Sequence, residues 1–274
     1  MSNVLKMEWF RFRKSRYVYI ILLVLALLFL FGTILDSSNN SSDGRVKTEN
    51  GHSIELYAED YNQTYTAQFS NKFEMLVTAF SGNIVAMSIL IFAGLFAGAY
   101  RKNKFEKNIV GIIGQRSKLV ISNFVICAIY CFIIMCVALI VSLLGYYLFY
   151  PNFAVMPMGN ITNLSRYLIS YYVLLTSVAT MMSCFVQIVG NQIVAIIIAL
   201  IYGSGIIYGI IDFATKELGL ETFSIQNYVP LGTLYNLSIH NQDGYLGTIL
   251  MAILFGLGSM IINIVVKNKQ DIIT

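Results

Sequence analysis

Charge is scarce in this chain. Only 12% of its 274 residues are Asp, Glu, Lys or Arg, against about 25% in a soluble domain. There are three prolines, so little interrupts long helices. The two histidines, His52 and His240, stand far apart, and neither has a cysteine or histidine at metal-ligand spacing. No metal site is expected. The phosphate-cradling pattern G-x-x-x-x-G-K-[ST] is missing, which excludes ATP binding through a P-loop, and no H-E-x-x-H is present. The four cysteines, Cys127, Cys131, Cys136 and Cys184, all lie in apolar runs. They leave no thiol for an extracellular disulfide framework. Cys127 and Cys131 are four apart, but a metal would need further ligands beside them. No set of polar groups converges for catalysis, so the chain is not expected to be an enzyme, and no cofactor or nucleic-acid partner is expected for it.

What the chain has is hydrocarbon: 57% hydrophobic residues and a mean hydropathy of +0.70. About 20 consecutive apolar residues cross a bilayer as a helix. Six segments qualify: Tyr17–Leu35, Ala79–Tyr100, Leu119–Tyr147, Tyr167–Val189, Ile193–Ile211 and Tyr245–Val266. The first exceeds the ~7–15 residues of a signal h-region and lacks a small-x-small cleavage site, so it is expected to be retained. None of the six cores holds Asp, Glu, Lys, Arg or His. Each such charge at mid-bilayer would cost about 2.5–3.5 kcal/mol. Their lack argues against a proton relay or voltage sensor. Only Gly190, Asn191 and Gln192 separate the fourth and fifth spans, which predicts a tight helical hairpin.

Charge asymmetry gives an orientation. The tail 1–16, the loop 101–118 and the end 267–274 together hold 13 of the 18 basic residues, whereas the opposite side holds 11 of the 14 acids. Positive charge stays inside, so both termini are expected in the cytoplasm of a multi-pass cell-membrane protein. The fold class is thus an all-α polytopic membrane protein with six transmembrane helices.

The connecting segments are patterned too. In the tail 1–16, Leu5, Trp9 and Phe12 recur at i, i+4 and i+7 among basic residues, predicting a short interfacial helix with Trp9 at the headgroups. The external segment 36–78 opens on SSNNSSDG, which reads as a flexible linker. Tyr57, Tyr61, Tyr65, Phe69 and Phe73 follow at intervals of four. That aromatic stripe either packs on the outer ends of the bundle or touches a hydrophobic cargo. In the loop 101–118, Phe105, Ile109, Ile112 and Ile113 repeat at helical spacing, with Asn103 as a candidate cap. Such an apolar face must pack under the bundle, on lipid or on another protein. Segment 212–244 is external yet rich in Leu, Phe and Tyr, which fits re-entrant or interfacial helices, with Pro230 suited to a first turn. Small residues recur inside spans: Gly94 and Gly98 in the second, Gly205 and Gly209 beside Tyr202 in the fifth. They permit close helix approach, within one chain, at a dimer seam or in a mobile gate.

This order of elements resembles the ABC-2 (type-2 ABC exporter) permease family over essentially the full chain, read as one permease domain, 1–274. The best local match is FEKNIVGIIGQRSKLVISN, residues 105–123: an acidic residue, a short apolar helix, then Arg-Ser-Lys opening the third span. The segment after the first span is longer than in minimal members. The resemblance implies a permease half that pairs with a second permease subunit and with separate ABC ATPase subunits, which would bind the ATP and Mg. Residues 103–113 would be the coupling helix, seating Phe105, Ile109 and Ile112 in the ATPase, with Lys104, Glu106 and Arg116 as polar anchors. The first, second and fifth spans would line the cavity and seam. The resemblance also implies export of an amphipathic or hydrophobic cargo, such as an antimicrobial or cytolytic peptide, by alternating access. An ion- or drug-extruding permease, or a channel or carrier outside the family, stays open as the alternative.

Overall fold

The computed structural model describes residues 2–42, 48–49, 52–53, 80, 83–102, 116–149, 161–217, 225–237 and 245–269. Apart from a two-residue antiparallel ladder, with Thr48 opposite Ser53 and Glu49 opposite His52, these residues are helical or turn. In chain order the helices are α1 (Ser2–Lys14), α2 (Arg16–Ser42), α3 (Asn83–Lys102), α4 (Ser117–Phe149) and α5 (Ile161–Val189). They continue with α6 (Gln192–Gly203), α7 (Ile206–Glu217), α8 (Pro230–Tyr235) and α9 (Tyr245–Lys269), and a 3-10 turn at Ile225–Tyr228 precedes α8.

Four helices are long and apolar enough to cross a membrane: α2 over Arg16–Leu35, α4, α5 and α9. The pair α6 and α7 passes the same test jointly but is bent by 55°, which makes five if it counts as one broken span. The apolar part of α3, Ile84–Ala99, is shorter. The helices fit a multi-pass membrane protein.

Small residues explain which helix sits at the centre. Of α5's apolar window 61% is buried, against 22% for α2 and 17% for α9. Ser170, Ser177, Thr180 and Ser183 of α5 are buried, while Ile169 and Ile188 are exposed. The helix therefore turns its hydroxylated residues inward, together with Tyr171, Leu174 and Leu175, and its isoleucines outward. That polarity suits packing in lipid, where small side chains let backbones approach and hydroxyls bond locally. α5 packs against α3, α4, α6, α8 and α9. At one close approach a Cβ on Gly256 of α9 would sit 3.6 Å from Ser177 Oγ.

An aromatic cluster joins the tail to the bundle. Phe92 of α3 stacks on Tyr130 of α4 at 3.7 Å between centroids, and Phe12 of α1 meets both rings edge-on. The Tyr130 hydroxyl donates to Val18 O of α2 at 3.2 Å. On α5, Tyr171 donates to Phe80 O at 3.0 Å.

Two expectations change. The polar run after the first span is helical to Ser42 rather than a linker from its start. Once a helix is nucleated, each added residue gains a hydrogen bond without a new nucleus, and no proline or glycine stops it before Ser42. The fifth span is not one helix across Ile193–Ile211. It breaks at Ser204–Gly205, where Gly205 takes φ 77°, and its second half runs on to Glu217. The tail forms the expected helix, over Ser2–Lys14, and its Leu5 and Phe12 pack on the bundle core. Val4, Glu8 and Phe12 are the buried line, and Trp9 is exposed.

Candidate functional site

The break between α6 and α7 is the least regular backbone among the apolar helices. A carbonyl freed in this way inside hydrocarbon costs several kcal/mol unless another group meets it. The local chain supplies most of the partners. Ser204 N donates to Leu200 O at 2.9 Å and Gly205 N to Tyr202 O at 3.3 Å. Ser204 Oγ donates to Ile201 O at 2.8 Å. The carbonyl of Gly203 is met from elsewhere: the Tyr235 hydroxyl of α8 donates to it at 2.7 Å. Tyr208 donates to Tyr202 across the bend at 2.8 Å, and its ring meets that of Tyr235 edge-on. Burial pushes the Tyr235 phenol above its ordinary range, with the Tyr202 phenol adding to the shift, so it remains a protonated donor at physiological pH.

Tyr235 reaches this point because segment 225–237 folds back onto the bundle. Val229 is extended, Pro230 opens α8, and Pro230, Leu231, Gly232 and Leu234 are buried. Proline suits that position because its missing N–H would be unpaired there anyway. Between the fifth and sixth predicted spans, then, the chain places a short apolar helix against α5 and α9. Residues 218–224 and 238–244 of the external segment 212–244 lie outside the described residues.

Beside the break is a cavity of about 260 Å³ between α3, α5 and α6, lined by Leu90, Val178, Met181, Met182, Phe185, Ile198 and Tyr202. Water is a poor filler, because it needs two to four polar partners and the lining offers a single hydroxyl. The helices that frame the cavity approach closely. A Cβ on Gly203 would fall 2.9 Å from Met87 Cγ and 3.0 Å from Leu90 Cδ1, and one on Gly94 would fall 3.3 Å from Met182 Cε.

A second polar cluster holds the tail. The Arg11 guanidinium donates to Phe96 O of α3 at 2.9 Å and lies 3.9 Å above the Phe96 ring. It also pairs with the fully buried Glu8 carboxylate at 3.2 Å. α1 is therefore bolted to the helix that leads into the loop 101–118.

The predicted site residues divide accordingly. Gly94 and Gly98 are buried on α3. Tyr202, Gly205 and Gly209 all belong to the broken helix, and a Cβ on Gly209 would meet nothing within 4 Å. Arg116 is engaged inside the chain, where its guanidinium donates to Lys267 O near the end of α9 at 3.0 Å. There it satisfies one of the terminal carbonyls that a helix leaves unpaired. Asn103, Lys104, Phe105, Glu106, Ile109 and Ile112 lie outside the described residues, as do Tyr57, Tyr61, Tyr65, Phe69 and Phe73. Sequence reading missed Glu8, Arg11, Tyr235 and the paired methionines. The sole acid of a basic tail, three residues before an arginine, was the available signal for the first pair. Among the described residues no three His, Cys, Asp or Glu gather to hold a metal. No family model matches the chain, and no curated protein matches it either.

Proposed function

We propose that the chain is the permease subunit of an ATP-driven exporter of the ABC-2 kind. It crosses the cell membrane six times with both termini in the cytoplasm. A separate P-loop ATPase drives it, and it works as a dimer with a second permease subunit. Its cargo is amphipathic or hydrophobic, such as a membrane-active peptide, because the cavity beside the helix break is lined by apolar side chains and one phenol, with no charge there to balance an ionic cargo. In this reading α3 serves as the second crossing despite its shorter apolar stretch. The α6–α7 pair serves as the fifth.

The observation that carries the reading is the folded-back segment 225–237, anchored by Tyr235 on the break of the preceding helix. Apolar helices between the fifth and sixth spans are part of the resemblance from which the family reading came. The bolting of α1 to α3 adds to it. A tail fixed to the helix that feeds a basic, apolar-striped loop can pass on a push delivered at that loop. The loop's Phe105, Ile109 and Ile112 are the groups proposed to sit in the ATPase, and ATP-driven closure there would swing the bundle between inward and outward openings.

The test is association. A tagged chain purified in mild detergent should bring down a protein that mass spectrometry identifies by a P-loop. Phe105→Asp and Ile109→Asp should each abolish that association while leaving membrane insertion and melting intact. Full retention in both variants would sink the reading. The broken helix itself favours a second reading, a carrier or channel outside the ABC class, since discontinuous spans are common at carrier binding sites. Transport by the chain alone in ATP-free proteoliposomes would select it.

A further inference from the structure

We propose that the cavity between α3, α5 and α6 is a binding site for one acyl chain of a bilayer phospholipid. This goes beyond the permease reading and holds whether or not an ATPase drives the chain.

Depth comes first. At ~1.5 Å per residue, Phe185 and Val178 lie about 6 and 16 Å along α5 from its end at Val189. Ile198 and Tyr202 lie at comparable heights along α6. Half of the ~30 Å hydrocarbon core is about 15 Å, so the cavity sits within a single leaflet, at the level of its acyl chains. Access comes next. The lining residues Leu90, Val178 and Met182 are buried, whereas Met181, Phe185, Ile198 and Tyr202 are only partly so. The mouth therefore opens along the seam between α5 and α6. Flanking it, Ile188 of α5 and Ile193, Ile197 and Ile201 of α6 are exposed, which makes the path from the surrounding hydrocarbon into the cavity apolar throughout.

The chemistry of the lining selects the ligand class. It carries no charge, and its one hydroxyl, on Tyr202, already accepts from Tyr208. A headgroup finds no partner there, while a methylene chain loses nothing by entering. Two adjacent methionines give a wall of unbranched thioethers that adapts to an irregular chain. The occupant closes the gap between α6 and the α3–α5 pair, immediately before the break at Ser204.

Photolabelling tests this. The full chain is placed in nanodiscs of phosphatidylcholine and phosphatidylglycerol containing a phospholipid with a diazirine midway along one acyl chain. After irradiation, crosslinks should concentrate on Met181, Met182 and Ile198, above those on the exposed Leu254 and Leu257 of α9. Filling the cavity by Val178→Phe or Ile198→Trp should cut the pocket crosslinks several-fold and leave the α9 crosslinks unchanged. Gly94→Ala, which presses the flexible Met182 tip toward the void, provides a milder filling that keeps the test valid where a bulky variant does not fold. Equal labelling of pocket and α9, or undiminished labelling in every folded filled variant, overturns the proposal. So does labelling by a free alkyl diazirine but not by the phospholipid, which would assign the site to a non-lipid ligand. Crosslinking of Ile197→Cys to a second copy, with no lipid label, would place a protein face over the mouth and overturn it too.

Discussion

Gly145→Ala should destabilise the bundle by a route that a second substitution reverses. Gly145 lies where α4 crosses α2. A Cβ there would fall 2.7 Å from Thr33 Oγ1, 3.0 Å from its Cγ2 and 3.2 Å from its Cβ. The obstacle is not a flexible tip. Thr33 is buried, branched at Cβ, and held by a hydroxyl that donates to Leu30 O at 2.8 Å. Overpacking against such a group costs about 1–3 kcal/mol, and the helix preference for alanine over glycine returns about 1 kcal/mol at most. A contact as close as 2.7 Å belongs to the upper part of that range, about 2–3 kcal/mol, so the expected net loss is about 1–2 kcal/mol. At roughly 2–4 °C per kcal/mol for a chain of this size, the melting temperature falls by about 2–8 °C. The protein carries its own reporter, because Cys127, Cys131 and Cys184 are free and buried. A thiol-reactive fluorogenic dye therefore reads unfolding directly. Thr33→Ala removes the two closest atoms. The double variant should be more stable than the sum of the singles by about 1 kcal/mol or more. Wild-type melting of Gly145→Ala, or strict additivity in the double variant, would refute the packing argument.

Arg11→Ala removes a charged hydrogen bond to Phe96 O and a cation–π contact, and leaves a buried Glu8 beside an alanine. A loss of about 2–3 kcal/mol is expected, read as a lower melting temperature and as new protease cleavage in residues 2–14. Arg11→Lys should restore little, since an ammonium cannot stack on the ring and reach both oxygens as the planar fork does; full recovery would contradict the geometry. Gly203→Ala should lower the melting temperature by pushing α6 off Met87 and Leu90. Gly209→Ala, with open space around its Cβ, should stay within about 0.5 kcal/mol of wild type, and an equal drop in both would show that Gly209 faces a packed neighbour.

Helix existence was legible in the sequence because hydrocarbon length and missing charge determine it. Five predicted spans correspond to single helices whose ends differ by only a few residues, apart from the continuation of α2 to Ser42. The fifth failed at Gly205. Hydropathy counts side chains, and a run of Ile, Tyr and Gly is equally apolar whether the backbone is straight or bent. The bend depends on a left-handed glycine and on a tyrosine thirty residues further on, and no local window contains both. Which face of the tail docks was not legible in the sequence, for a different reason. Two helical faces fitted the apolar pattern, and the buried one includes Glu8, which a hydropathy reading assigns to water. Only the distant Phe96 and Phe92 of α3 decide between them. Of the cavity only Tyr202 stood out in the sequence, since Met181 and Met182 sit within an apolar run and carry no pattern of their own.

The break and the segment that covers it stand or fall together. Gly203 must be small for α6 to lie against α3, and its carbonyl is free because the helix ends there. That carbonyl is satisfied by a donor that arrives only when 225–237 is folded back. Releasing Tyr235 alone exposes a hydrogen-bonding group to lipid, and straightening the helix alone would demand a different backbone at Gly205. The cheaper motion therefore leaves the folded-back segment with α6, the Tyr235 bond to Gly203 kept, and swings α7 alone about Ser204–Gly205. Tyr235→Phe uncouples the two at a cost of about 1–3 kcal/mol, and faster exchange of the amides at Gly205, Tyr208 and Gly209 in the variant is the measurement that distinguishes a hinge held by this bond from a rigid kink.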